Sequence, residues 1–238
     1  MGRRPVVGLC TAAIAAVGLT GCSGMSGESG KATVWITRDR GRHVVLLRTV
    51  NAGQTAMQAL ETVADVDTRY GGRFVQSIDG VAGNLSARRD WFYFVNGVEA
   101  DRSAAEYRLH AGDVEWWDYR SWAASMEEPV VVGAYPEPLL HGYGGSHRAT
   151  AVRYSVPALA ASARAIGRLT SAASVARTGT PVAHDVNLVL LRGGRPGAAA
   201  RPRFSGFQAG DPVTFVFSGK GVRLARDPRL LRRRYRWP

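Results

Sequence analysis

The chain has 238 residues, of which 31 are basic and 19 acidic, giving a formal net charge of +12 at pH 7. Nearly all of the basic residues are arginine, and the chain is also rich in alanine and glycine. A high-GC coding bias produces this pattern, so the charge does not indicate a nucleic-acid partner. The length is sufficient for one large or two modest domains with hydrophobic cores.

The N-terminus predicts export followed by anchoring to a membrane. Residues 1–21 have a charged start and an apolar run that is too short to span a bilayer, which is typical of a signal peptide. The sequence Leu19-Thr20-Gly21-Cys22 resembles the lipobox of bacterial lipoproteins, which implies acylation (palmitate or a similar chain) of Cys22 and cleavage before it. The alternative is an ordinary secretory signal with an incidental cysteine. Residues 22–31 have linker composition and predict a flexible tether on the extracytoplasmic face of the cell membrane.

Cleavage before Cys22 would leave a single cysteine in the mature chain, because Cys10 lies in the segment that is removed. An exported chain without a pair of cysteines has no disulfide framework. Its folded state must therefore be stabilised by burial of apolar surface.

Residues 32–123 predict a first domain, a small grasp-like α+β unit with four or five strands and one helix. Alternating or β-rich composition marks strands at residues 32–37, 43–50, 73–80, 91–95 and 114–119, and Asp39-Arg40-Gly41-Arg42 is predicted to join the first two as a hairpin. Between the second and third of these, Met57 and Leu60 recur at helical spacing, and Thr55 followed by Gln58 predicts a capping box. The Asn96-Gly97 pair predicts a type I′ hairpin, and Asp113 is expected to cap a turn.

Residues 124–225 predict a second, compact α/β domain. A strand at 149–156, a helix at about 157–173 and a strand at 186–193 form a βαβ pattern, in which the two strands would be parallel. Residues 213–219 and 221–225 predict a closing hairpin. Residues 226–238 form a basic tail, which is expected either to lie on anionic lipid headgroups or to remain solvated and disordered.

Four segments of the predicted first domain carry a resemblance, namely TAMQALETVADV, GRFVQSIDGV, WFYFVNG and YRLHAGDVEWWDYRSW. Taken together, they resemble a family found in bacterial lipoproteins, the domain of unknown function 4430. That family is similar to the C-terminal β domain of the animal cobalamin carriers transcobalamin and intrinsic factor. The resemblance covers roughly residues 32–122 and implies a ligand-facing β domain, with cobalamin or another corrinoid as the bound ligand. Residues 123–238 do not resemble the helical barrel of those carriers, so the second domain or a transporter subunit would have to supply the other wall.

The aromatic residues between positions 91 and 122 are the candidate ligand site. Strand alternation places Trp91, Tyr93 and Val95 on one face and Phe92 and Phe94 on the other. One face can pack against the helix, whereas burial of both requires a second cover. The rings therefore form either a core or domain interface, or a platform for a flat ligand. We favour the Trp91 face as the free one because Trp and Tyr have polar ends. The predicted ligand-binding residues are Trp91, Tyr93, Asn96, Trp117, Tyr119 and Trp122.

The sequence predicts no catalytic residue and no metal site. It lacks a Gly-x-Ser-x-Gly elbow, and the thiol of Cys22 would be acylated. His141 and His147 have no third ligand at metal-binding spacing. The segment SGKG at 218–221 lacks both the upstream glycine spacing and the following helix of a phosphate loop.

We therefore predict a non-enzymatic, lipid-anchored protein that binds a small ligand for uptake, together with a possible transporter subunit. An alternative is an envelope scaffold protein that uses the aromatic face as a protein interface. A third hypothesis is a hydrolase built on His141 and His147.

Overall fold

The computed structural model of the chain describes residues 1–2 and 29–235. The predicted signal peptide, the proposed lipidation site Cys22 and the last three residues of the tail lie outside the described residues, apart from residues 1–2. Within the described ranges, no helix is long and apolar enough to cross a membrane.

The described elements are as follows, in chain order. The first half contains β1 (Lys31–Arg38), β2 (His43–Asn51), α1 (Ala56–Glu61), β3 (Val66–Arg69), β4 (Phe74–Ile78), β5 (Val81–Ala82), β6 (Arg89–Val95), β7 (Val98–Glu99) and β8 (Val114–Ser121). The second half contains α2 (Glu137–Leu140), β9 (Thr150–Tyr154), α3 (Ala160–Leu169), β10 (Ser174–Arg177), β11 (Asn187–Arg192), β12 (Gly197–Pro202), β13 (Val213–Ser218) and α4 (Val222–Arg226).

The first five-stranded sheet has the order β2-β1-β8-β6-β7. Strand β1 pairs parallel with β8, while the β1–β2, β6–β8 and β6–β7 pairs are antiparallel. The first strand of the β1–β2 hairpin thus runs parallel to the last long strand, and one helix packs against the sheet. This is a grasp-like arrangement. The predicted α+β fold class is confirmed.

Helix α1 begins at the predicted capping box. The Thr55 hydroxyl accepts a hydrogen bond from the Gln58 amide (3.1 Å), and the Gln58 side chain accepts one from the Thr55 amide (2.9 Å). Two of the four orphan amides of the first turn are thereby satisfied. Met57 and Leu60 are buried against the first sheet, so the short helix is stabilised mainly by packing.

A separate three-stranded sheet, in the order β3-β4-β5, contributes Val75 and Ile78 to the core cluster that contains α1. Only β4 was predicted, because β3 and β5 have four and two residues and show too little alternation to be recognised. The indole nitrogen of Trp91 donates a hydrogen bond to the Val81 carbonyl (2.7 Å), which ties this small sheet to β6.

The second five-stranded sheet has the order β10-β9-β11-β13-β12, and all of its pairs are parallel except β12 with β13. The predicted parallel pairing of β9 and β11 is confirmed, but the short edge strand β10 lies between them in the chain and was not predicted. The predicted hairpin after β13 is wrong. Gly219 turns the chain at a positive φ of 51°, and residues 222–226 form α4 instead. A short helix therefore does follow SGKG, contrary to the sequence analysis.

The chain between the two sheets packs against both of them. Val131 and Ala134 contact the first sheet, whereas Val132 and Tyr135 lie in the core of the second. The Tyr135 ring lies between the rings of Phe215 and Phe217, with centroids 5.2 and 5.0 Å away.

As far as residue 235, the C-terminal segment packs against the rest of the protein. Leu231 is fully buried in the core of the second sheet, and Tyr235 is 5% exposed against the first. The expectation of a solvated tail is wrong for these residues because two apolar side chains on either side of the arginine run, Leu231 and Tyr235, anchor the segment to both sheets.

Candidate functional site

The two tryptophans at the centre of the predicted ligand platform lie inside the protein. Trp91 and Trp117 are 8% and 5% exposed and share a core cluster with α1. Tyr93 stacks on Trp117 with ring centroids 4.8 Å apart, and Trp91 lies 5.3 Å from the Tyr119 ring. The strand alternation was predicted correctly, but the choice of the Trp91 face as the free one is wrong, because this is the face that covers the helix.

The opposite face is covered as well. Phe94, Trp116 and Trp35 form a second aromatic cluster, and the Tyr235 ring packs edge-on against Phe94 (5.5 Å) and Trp116 (5.3 Å). Val131 and Ala134 complete the cover. Neither face is therefore a broad exposed patch of the kind that a flat ligand or a protein interface would require.

Asn96 has a structural role at the hairpin between β6 and β7. Asn96 and Gly97 have φ values of 51° and 79°, as a type I′ turn requires. The Asn96 side chain donates to Asp113 (2.7 Å) and to the Gly142 carbonyl (2.9 Å), and it accepts from the Val114 amide (2.8 Å). Asp113 also accepts from the His110 amide, so its predicted capping of a turn is confirmed. These bonds hold the hairpin against the chain that follows α2.

Three of the predicted site residues remain partly exposed, namely Tyr93, Tyr119 and Trp122. The Tyr119 hydroxyl donates to the Ala82 carbonyl (3.1 Å), and the Arg89 guanidinium lies over its ring at 4.9 Å. These contacts occupy the polar end and one face of the ring. They do not form a concave site.

His141 pairs with the Glu137 carboxylate across 2.9 Å, one turn apart at α2. Burial raises the pKa of Glu137, and the neighbouring His141 opposes this shift. Among residues 1–2 and 29–235, no three His, Cys, Asp or Glu side chains converge as a metal site, and no hydrogen bond joins His147 to the pair.

A different feature, a cleft of about 880 Å³, has the volume of a small-molecule site. It lies where the β1–β2 turn, the loop after β8 and the C-terminal segment meet. Its lining residues are Arg40, Gly41, Arg42, Val44, Ala124, Ser125, Glu128, Arg232, Arg233, Arg234 and Tyr235. We call this feature the arginine cleft.

The first wall of the arginine cleft is the β1–β2 turn, in which Asp39, Arg40 and Gly41 all have positive φ. Successive amides in this conformation form a concave anion-binding site, and the Asp118 carboxylate occupies it. That carboxylate accepts from the amides of Arg40 (3.0 Å) and Gly41 (3.1 Å) and from the Thr37 hydroxyl (2.6 Å). Burial raises the pKa of Asp118, although these donors favour its charged form. The turn is thereby fixed with Arg40 and Arg42 beside the cleft.

The second wall is the loop of residues 124–128. The fully buried Arg120 side chain donates to the carbonyls of Ser125 (2.8 Å) and Met126 (2.7 Å), and it lies 3.4 Å over the Phe92 ring. Glu128 forms an ion pair with Arg40 across the cleft. A buried guanidinium that satisfies loop carbonyls leaves the loop little freedom to move.

The third wall is the C-terminal segment. The Arg233 amide donates to the Gly133 carbonyl (2.9 Å), and its guanidinium lies 5.8 Å over the Trp35 ring. A Cβ atom at Gly41 would overlap the Arg233 carbonyl, and one at Gly133 would overlap the backbone of Arg234. Two glycines therefore allow the segment to approach the rest of the protein closely.

Sequence reasoning missed the arginine cleft. It recognised the dense C-terminal arginine run and the Asp39–Arg42 turn as separate features at opposite ends of the chain. The burial of Tyr235 and the backbone contacts of Arg233 bring them together, and the apolar residues Leu231 and Tyr235 on either side of the arginine run are the local signal that could have predicted it.

Comparison with known proteins gives a family match and similarity to several solved structures, including the following two. One structure is a candidate metal-binding protein from Ruminococcus gnavus ATCC 29149, with 17% identity and a TM-score of 0.33, covering 39% of this chain and 97% of that one. The other is haptocorrin in complex with Cbi, with 16% identity and a TM-score of 0.32, covering 40% of this chain and 26% of that one. No curated protein matches the chain. Residues 53–121 match the family described as Domain of unknown function (DUF4430), so the similarity predicted from the sequence is confirmed for this part of the chain.

Proposed function

We propose that this protein is a non-enzymatic lipoprotein, anchored to the membrane through Cys22, which binds a small ligand in the arginine cleft on the extracytoplasmic side. The observation that carries the proposal is the cleft itself. Its volume of about 880 Å³ lies within the range of small-molecule sites, roughly 300–1,000 Å³.

The walls of the cleft support binding because they are held in place without a ligand. Asp118 fixes the turn, Arg120 fixes the loop, and Tyr235 anchors the C-terminal segment. Walls that are already held in place avoid the entropic cost of ordering the turn, the loop and the C-terminal segment when a ligand binds. Delivery of the ligand to a transporter subunit belongs to the same proposal.

A blocking substitution tests the function. Ala124 is an exposed lining residue, so Ala124→Trp should fill the cleft without changing its charge. The matched control is Ala199→Trp, at an exposed alanine of β12 outside the cleft lining. The full chain in a nonionic detergent is titrated with sugars, amino acids, oxyanions, cobalamin and cobinamide. The two corrinoids are included because the family resemblance implies them.

We expect at least one ligand to bind saturably to the wild type and to the control, and not to Ala124→Trp. Equal binding by all three proteins would place the ligand elsewhere. The anchor is tested separately by mass spectrometry of the cell-derived protein. An acyl modification at the Cys22 residue is expected, and its absence from the mature N-terminus would refute the anchor alone.

A further inference from the structure

The arginine cleft has an unusual charge distribution for a small site. Five guanidinium groups line it, with Glu128 as the one carboxylate among the lining residues. Like charges brought together in a partly desolvated cleft repel one another. Burial lowers the pKa of Arg233, and the charge of the neighbouring Arg232 acts in the same direction.

Not all of these guanidinium groups are already engaged. Arg40 is paired with Glu128, and Arg233 lies over Trp35. Arg42 and Arg232 are exposed, and within the described part of the chain no hydrogen bond or ion pair holds either side chain, although the charge of Arg232 acts to lower the pKa of Glu137. Arg42 lines the cleft from the β1–β2 turn and Arg232 from the C-terminal segment, and exposed side chains of this length can turn towards a ligand.

We propose that the ligand of the arginine cleft carries a phosphoryl group, bound between Arg42 and Arg232; this inference rests on the proposed function. A guanidinium presents a planar fork of donors that matches the oxygens of a phosphate in a bidentate contact. Two such forks, one on the turn and one on the C-terminal segment, can satisfy a dianion, and its charge relieves the repulsion within the cluster.

The shape of the site favours a small phosphorylated molecule. A bilayer surface is broad and flat, whereas these arginines line a cleft closed on three sides by the turn, the loop and the C-terminal segment. Phosphoryl groups also occur on lipid headgroups, which a membrane-anchored protein would meet at high local concentration. The chemistry is the same for both sources, so the experiment has to separate them.

The test is calorimetric titration of the full chain in nonionic detergent micelles. The probes are glycerol 3-phosphate, pyrophosphate, uncharged glycerol, and micelles doped with phosphatidylglycerol. The cleft variant is the double substitution Arg42→Gln with Arg232→Gln. The matched control is Arg177→Gln with Arg192→Gln, which removes the same charge from exposed positions of the second sheet.

We expect saturable binding of the phosphorylated probes and none of glycerol. Loss of two charge-assisted contacts should weaken binding by at least about a hundredfold in the cleft variant and by less than about threefold in the control. If the doped micelles are the one probe that binds, and the cleft variant loses this binding, the result would support a phosphoryl ligand and assign it to a lipid headgroup.

Equal weakening in both variants would overturn the inference, because it would reflect net charge alone. An uncharged ligand that binds the cleft variant normally but fails with Ala124→Trp would also overturn it, and would leave the proposed function intact. If no probe or panel ligand binds the wild type, both the proposed function and the inference fail. Circular dichroism confirms that each variant is folded.

Discussion

Substitution of Tyr235 by alanine tests whether the C-terminal segment is part of the folded core. Tyr235 is 5% exposed, and its ring contacts Phe94 and Trp116 at centroid distances of 5.5 and 5.3 Å. An aromatic side chain buries roughly 150–250 Å², which at about 25 cal/mol per Å² corresponds to about 4–6 kcal/mol as an upper bound. Aromatic-to-alanine substitutions in cores cost about 3–5 kcal/mol. We expect Tyr235→Ala to lower the free energy of unfolding by about 4 kcal/mol.

Urea denaturation followed by tryptophan fluorescence measures this change, since Trp35 and Trp116 lie in the same cluster as Tyr235. The control is Tyr70→Ala, because Tyr70 is 78% exposed and its removal should change stability by less than about 0.5 kcal/mol. A Tyr235→Ala protein within about 0.5 kcal/mol of the wild type would refute the packing of the segment and with it the third wall of the arginine cleft.

Three further substitutions test the first half of the chain, which contains α1 and the first five-stranded sheet. Thr55→Ala removes the capping box and should cost about 1 kcal/mol in urea denaturation; an unchanged midpoint would show that packing alone fixes the helix start. Asn96→Ala deletes three buried hydrogen bonds and should cost about 3 kcal/mol by the same method, whereas a loss below about 1 kcal/mol would contradict the structural role of Asn96. Burial raises the pKa of Glu115 well above its ordinary value, so the folded state holds a proton that the unfolded state releases. The free energy of unfolding therefore falls as the pH rises from the ordinary glutamate pKa towards the pKa of Glu115 in the folded state. Glu115→Gln should remove this pH dependence of the free energy of unfolding. If the wild type and Glu115→Gln give parallel stability curves between pH 4 and 8, Glu115 is not the source of the slope.

The sequence predicted the first unit well where the signals were local. The hairpin of β1 and β2, the capping box at Thr55 and the turn at Asn96-Gly97 each depend on residues a few positions apart, and all three are confirmed. Strand alternation also separated Trp91 and Tyr93 from Phe92 and Phe94 correctly. It could not show which set meets α1, because that depends on how β6 is aligned with β1 and β8.

The errors arise where distant parts of the chain decide the structure. The segment after β13 has β-branched and apolar residues, yet Gly219 turns it and α4 forms. The C-terminal arginines predicted a solvated tail, yet Leu231 and Tyr235 bury the segment against both sheets. The candidate site was predicted on exposed aromatic rings because the second cover of the sheet comes from residues 131–134 and 235, which sequence patterns do not connect to β6.

The most direct test of the account is calorimetric titration of pyrophosphate into the full chain, comparing the wild type with Ala124→Trp and Ala199→Trp. We predict saturable 1:1 binding to the wild type and to Ala199→Trp, and no detectable heat with Ala124→Trp. Binding to Ala124→Trp with the affinity of the wild type would contradict the assignment of the arginine cleft as the ligand site.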